Sequence, residues 1–251
     1  ASCVVANSSY TRDQVVRFGI PGDRLVVVLP GCNRPAAVHE AEIQKVKMRY
    51  HARGLPVLLT VARLIPRKGI DVTLRALSRL RMTMPDVRYF IVGTGGDADR
   101  LRQLARDSGI EGLVTFCGAV TDQELSALYA ACDIFVMPAR SSEEEGDVEG
   151  FGMVYLEANA HGKPVIAGKG GGVEDAVHHG VTGLVVDPRS VEAVCSALEK
   201  LLRDTSWSRR LGEQGRAIVE RDCSWEKRVQ PLLAFLQKKQ YTHLRERIAA
   251  R

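Results

Sequence analysis

The sequence predicts an α/β fold built on a doubly wound parallel sheet, and three observations carry that expectation. Short β-rich runs alternate with segments whose apolar residues recur every three or four positions, along the whole 251-residue chain. Several of the runs are apolar throughout, as strands covered by helices on both faces must be. Hydrophobic residues make up 45% and charged ones 26%, the balance of a soluble globular chain of one or two domains with a real core.

The strand-like runs, in order, are VVAN (4–7), RLVVVLP (24–30), PVLLTVAR (56–63), VRYFIVGT (87–94), LVTFCG (113–118), DIFVMP (133–138), KPVIAG (163–168) and GLVVD (183–187). Helical spacing runs from Val72 to Leu80, Leu101 to Ala105, Leu125 to Ala131 and Val191 to Leu202. The first 33 residues have room for a strand, a helix and a strand, too little for a core. Turn residues cluster at PGCNRPAAVHE (30–40), which sets a boundary there. Residues 34–224 then hold the elements of a complete Rossmann-like domain, and WEKRVQPLLAFLQKK (225–239) reads as an amphipathic helix that must cover something.

Composition excludes several classes. No stretch is apolar for the ~18 residues a membrane span needs. The opening ASCVVANSS has no basic region ahead of an apolar one, so it reads as neither a signal peptide nor a natural start. A net charge of +5 favours anionic ligands, but no aromatic-interleaved basic stripe points to nucleic acid. The basic end, QKKQYTHLRERIAAR, reads as a solvated terminal helix, with an acidic-membrane contact as the alternative. Six separated cysteines without a C-x-x-C pair read as small apolar side chains in a reducing cytoplasm. The histidines His161, His178 and His179 read as turn or surface residues without ligand spacing, and Glu143–Glu145 as a solvated acidic loop.

Three tracts carry chemistry. ARLIPRKG (62–69) follows a strand, so Arg63 and Lys68 leave its carboxyl end, where a guanidinium fork and a mobile ammonium can converge on phosphate. IVGTGGDA satisfies G-x-G-x-x-G/A through Gly93, Gly95 and Ala98, but the next strand ends TFCG, without the carboxylate that a dinucleotide ribose needs. An NAD-dependent oxidoreductase is therefore a distant reading. In the same tract Asp97 and Asp99 form a D-x-D triplet, read as a helix cap rather than a metal site. The third tract, EGFGMVYLE (149–157), puts two glutamates around glycines that a helix interior disfavours. A helix starting near Phe151 or Gly152 offers free N–H groups to a diphosphate. Glu149 then addresses a sugar from the loop, and Glu157, about two turns in, accepts from a ribose diol. On this spacing, losing Glu149 leaves affinity for the bare diphosphate unchanged.

Taken together, ARLIPRKG, IVGTGGD, DIFVMPAR, EGFGMVYLEANAHGKPVIAGKGGGVEDAV and GVTGLVV resemble the carboxyl-terminal, donor-binding domain of retaining GT-B glycosyltransferases of the Glu-x7-Glu type. The stretch MPAR followed by DVEGFGMVYLEA most resembles bacterial phosphatidylinositol mannosyltransferases. The resemblance implies a donor half-enzyme that transfers a hexose, mannose from GDP-mannose, with retention and without metal or other cofactor. It implies that Arg63 and Lys68 hold the diphosphate, that Glu149 contacts the sugar and that Glu157 holds the ribose. Phe151, Gly152, Met153 and Val154 then line sugar and phosphate, while Gly93 and the Gly118–Ala119–Val120 turn lodge the base. It also implies attack on the face the diphosphate leaves. Residues 1–33 become a remnant of the acceptor-side domain and 225–251 a crossover helix with a basic tail. The missing domain becomes a partner, the acceptor a sugar or a lipid-linked sugar. The isolated chain is expected to be inactive, or to bind nucleotide-sugar without turnover. The expected location is the cytoplasm, at the inner face of the membrane with a peripheral contact.

Overall fold

A computed structural model describes residues 3–142 and 146–238. Glu143–Glu145 and the basic tail from residue 239 lie outside the described residues. A two-stranded parallel sheet pairs β1 (Val4–Ala6) with β2 (Leu25–Val27) around helix α1 (Ser9–Arg17). Residues 28–39 follow without regular structure and lead to α2 (Glu40–Arg49).

The main sheet contains β3 (Val57–Val61), β4 (Arg88–Val92), β5 (Val114–Gly118), β6 (Ile134–Met137), β7 (Val165–Gly168) and β8 (Gly183–Val186), all parallel, in the order β5-β4-β3-β6-β7-β8. The order in which successive strands are added reverses between β3 and β6, while every strand stays parallel. In open α/β sheets that switch point opens a crevice beyond the carboxyl ends of the two strands.

Side-chain chemistry explains the layers. The strands β6 and β7 are fully buried, and in β3 only Thr60 is polar among its buried residues. Its hydroxyl is shared with the Tyr89 hydroxyl at 2.7 Å and with the Val136 carbonyl, so the core keeps no unpaired group there. Helices α3 (Ile70–Leu80), α4 (Ala98–Asp107) and α7 (Val191–Arg203) cover one face through Ile70, Leu74, Leu77, Leu101, Val194 and Leu198. On the other face lie α2, α5 (Asp122–Ala131) and α6 (Met153–Ala160), with α8 (Thr205–Asp222) packed on α6. Thr121 and Ser190 cap α5 and α7 by accepting from Glu124 and Ala193 N–H groups.

Apolar spacing does not announce α2 or α8. The first is set by a capping box between His39 and Glu42, and the second buries two glycines, Gly212 and Gly215, against Gly162 and Asn159. The expected single helix from 225 is interrupted: α9 (Trp225–Arg228) ends in a turn at Val229 and helix resumes over 230–238. Pro231 supplies the reason, because it has no N–H to give the preceding turn. Leu233 and Leu236 stay 46% and 47% exposed, so the described residues cover that face only in part. Gly31 presses on Trp225, and Cys32 N–H donates to the Cys223 carbonyl at 2.7 Å. All six cysteines are free thiols; Cys32, Cys132 and Cys223 are buried.

Candidate active site

The site is built where β3 and β6 end. After β3, a short 3-10 turn (Pro66–Lys68) closes on Gly69, at φ 70°. A Cβ there would lie 2.0 Å from the Pro138 carbonyl oxygen, so only glycine lets the turn sit against the exit of β6. Arg140 laces the two exits together. Its N–H donates to the Arg67 carbonyl at 2.7 Å, and its guanidinium grips both carboxylate oxygens of Asp71 at 2.7 and 3.3 Å, as well as the Pro66 carbonyl.

That scaffold aims two cations at one atom. Lys68 Nζ lies 2.6 Å and Arg67 Nη1 2.8 Å from Glu149 Oε2, and Arg67 Nε lies 2.6 Å from Asp147. The side chains of Lys68, Arg67 and Glu149 are only 13%, 10% and 10% exposed. Glu149 is fixed through its backbone: Gly172 N–H donates to its carbonyl at 2.8 Å, and its N–H donates to Ser141 Oγ at 3.3 Å. A Cβ on Gly172 would lie 2.0 Å from the Gly150 oxygen and 2.7 Å from Ser8. The glycine tract after β7 is thus needed for close backbone packing. The amino-terminal piece meets the same loop, for Ser9 donates to Asp175 through N–H (2.6 Å) and Oγ (3.0 Å).

Helix α6 starts one residue beyond this loop. Gly152 is its cap, at φ 88°, and no side chain caps it. Phe151 is buried, Val154 half-buried and Met153 exposed. Below them, the Tyr155 hydroxyl donates to the Met137 carbonyl at 2.8 Å; burial and the nearby charge of Glu149 push its pKa well above the ordinary phenol. Glu157, in the second turn, turns toward α5, where Tyr129 donates to Oε2 at 2.7 Å.

The sequence-predicted residues divide accordingly. Lys68 and Glu149 are brought together; Arg63 is exposed and makes no ion pair among the described residues. Arg67, in the same tract and with the same charge but four residues nearer to Gly69, takes the buried position. Gly93 and Gly95 are needed for packing within the chain, since a Cβ on either would lie 1.9 or 2.3 Å from the Ala62 or Leu64 oxygen. Val120 is half-buried just ahead of the α5 cap. Asp97 stands at the α4 cap position without bonding the helix N–H groups; Arg100 holds both its oxygens at 2.6 Å, a stronger charged partner than an amide. Asp99 pairs instead with Arg102 at 3.2 Å. Of the histidines, His161 lies in the turn that ends α6, half-buried, with its ring stacked on Tyr129. His178 and His179 are exposed.

Residues 45–218 match the family described as glycosyl transferases group 1. The chain belongs to that family. Among curated relatives of this chain is the GDP-mannose-dependent alpha-(1-6)-phosphatidylinositol monomannoside mannosyltransferase of Mycobacterium tuberculosis, 40% identical over 92% of this chain and 60% of the relative. Its counterpart in Mycolicibacterium smegmatis is 36% identical over 91% and 60%, and a D-inositol 3-phosphate glycosyltransferase of Corynebacterium aurimucosum 35% identical over 84% and 50%. The chain thus spans about 60% of the length of the mannosyltransferases it matches. In structure it resembles Anabaena HepE solved with UDP and glucose, with a TM-score of 0.85 and 26% identity over 95% of this chain and 64% of that one. These neighbours are GT-B glycosyltransferases, and the six-stranded parallel sheet of this chain matches their Rossmann-like fold.

Proposed function

We propose that the chain is the donor-binding part of a hexosyltransferase that moves mannose from GDP-mannose to an acceptor with retention and without a metal. One observation carries the reading: Lys68 and Arg67 meet on a carboxylate at the carboxyl ends of β3 and β6, beside the uncapped start of α6. Two desolvated cations and a row of backbone N–H groups are suited to a diphosphate. Lys68 and Arg67 hold its oxygens, with Arg63 at the rim. Glu149 and the backbone amides at Phe151 and Met153 face the sugar, Glu157 accepts from the ribose, and Gly93 with Val120 bounds the base. As the glycosidic bond breaks, negative charge grows on the diphosphate, so these cations act more strongly in the transition state than on the bound donor. The relatives' printed dependence on GDP-mannose favours guanine and mannose over the UDP and glucose of the structural neighbour. The acceptor on this reading is a sugar or lipid-linked sugar presented at the inner face of a membrane, and among the described residues no helix is long and apolar enough to cross one.

A second reading is a nucleotide-sugar binding module without turnover. Calorimetry with GDP, GDP-mannose and UDP-glucose, with and without chelator, tests the donor; loss of binding in chelator refutes the metal-free assignment. Steady-state kinetics of the transferase at saturating donor tests the clamp. Arg67→Ala and Lys68→Ala each lower turnover by about 10²–10³ if they meet the leaving diphosphate. Retention of more than about half the turnover refutes that role. A chain that binds GDP-mannose but transfers nothing to any acceptor is the module.

A further inference from the structure

Glu157 carries a hydrogen bond that ribose recognition alone does not call for. Tyr129 on α5 is only 2% exposed, and its hydroxyl lies 2.7 Å from Glu157 Oε2. Burial and the negative charge of Glu157 push the Tyr129 pKa well above the ordinary phenol, so the hydroxyl keeps its proton and donates. The ring itself is clamped. It stacks on His161 at 5.1 Å between centroids and 19° between planes, and tilts against Phe135 at 5.9 Å. His161 in turn places Nδ1 2.8 Å from the Glu157 backbone carbonyl, which accepts and so fixes the proton on that nitrogen. Burial lowers the His161 pKa and keeps the ring neutral. Tyr129 and His161 therefore grip one residue by both its side chain and its main chain.

This grip leaves one oxygen open. No described residue hydrogen-bonds Glu157 Oε1. An untethered glutamate sweeps through many rotamers, and a carboxylate that must accept from two adjacent hydroxyls loses most from such motion. A phenol donates once and cannot saturate the acceptor, so it orients the group while sparing its remaining lone pairs.

We infer that Tyr129 is a positioning residue: it holds the Glu157 carboxylate so that its second oxygen meets the vicinal diol of a nucleotide ribose. The inference rests on the proposed ribose role of Glu157, and the test separates the two. GDP and its dideoxy analogue, which lacks both ribose hydroxyls, are titrated calorimetrically into the full chain as wild type and as Tyr129→Phe, which keeps the ring and its stacking. Wild type binds GDP at least about tenfold more tightly than the analogue. Tyr129→Phe weakens GDP by about fivefold and leaves the analogue within about twofold, the non-additivity expected of coupled groups. Equal weakening of both ligands makes Tyr129 a structural residue and overturns the inference while the ribose role stands; no weakening of GDP does the same. If wild type binds both ligands alike, the ribose role fails and the inference with it. His161→Gln, which loosens the ring without touching the hydroxyl, supplies the same comparison should the phenylalanine variant not fold. Its loss must also be confined to GDP.

Discussion

Replacing Glu149 with glutamine removes the one oxyanion that Lys68 and Arg67 both touch, at 2.6 and 2.8 Å, and leaves the shape of the site intact. Arg67 keeps Asp147, whereas Lys68 keeps no counter-ion among the described residues. Breaking a buried ion pair costs about 3–5 kcal/mol. The side chains here are 10–13% exposed and the amide still offers a carbonyl, so the lower end applies, about 3 kcal/mol. At about 2–4 °C per kcal/mol for a chain of this size, Glu149→Gln should melt about 6–12 °C below wild type. A diphosphate should reverse the deficit. In wild type its oxygens compete with the carboxylate for the cations; in the variant they meet both uncompensated. Inorganic pyrophosphate should then bind the variant about tenfold more tightly, roughly 1.4 kcal/mol, and stabilise it more than wild type. This differs from the expectation of spacing alone, in which Glu149 faces only the sugar and its loss leaves diphosphate affinity untouched. Thermal melts with and without pyrophosphate, joined to calorimetry, decide it. A melting temperature within about 2 °C of wild type refutes the buried-pair energetics. Equal stabilisation of both proteins by pyrophosphate means that phosphates do not sit on Lys68 and Arg67.

Other perturbations bear on the scaffold. Gly69→Ala and Gly162→Ala both place alanine at a left-handed φ (70° and 71°), but only the first meets backbone, 2.0 Å from the Pro138 oxygen. Gly162→Ala should cost about 1 kcal/mol, and Gly69→Ala at least about 3 kcal/mol together with nucleotide binding; equal melting temperatures would show that the turn does not need its seat on β6. His161 gives a signed pH effect. Its folded pKa lies below the ordinary value near 6.5, so the unfolded chain takes up a proton that the folded chain refuses. Its contribution is complete above about pH 6.5 and is lost as pH falls further. Between about pH 7.5 and 5.5 wild type should therefore lose more melting temperature than His161→Gln, and parallel losses would contradict the burial of a neutral ring.

Most of the architecture was legible because it rests on local patterns. Fully apolar β6 and β7 and the three- and four-residue spacing of α3 and α7 follow from burial on both faces or one. The helix start at Gly152 was legible as well, since glycines ahead of an apolar run fit a cap better than an interior. The burial of Arg67 beside an exposed Arg63 was not. Both are arginines after one strand, and only the geometry of the 3-10 turn buries one and exposes the other. Nor could spacing show that Asp97 is held by Arg100, or that Tyr129 and His161 enclose Glu157, because those pairings depend on rotamers and on contacts between separate elements. Helix α8 stayed hidden because it packs with glycine, which leaves no apolar stripe to read.

The contact between Ser9 and Asp175 has a mechanical consequence. From α1 to the carboxylate of Asp175, on to the Gly172 amide and then to the Glu149 carbonyl, every link is a hydrogen bond or a few main-chain residues. Residues 28–39 have no regular structure, and Gly31 and Cys32 within them are seated on Trp225 and Cys223. A rotation of the β1–β2 piece therefore either carries the Glu149 loop with it or snaps the Ser9 pair. The joint is thus a single engaged position, held by two hydrogen bonds from one serine to one carboxylate.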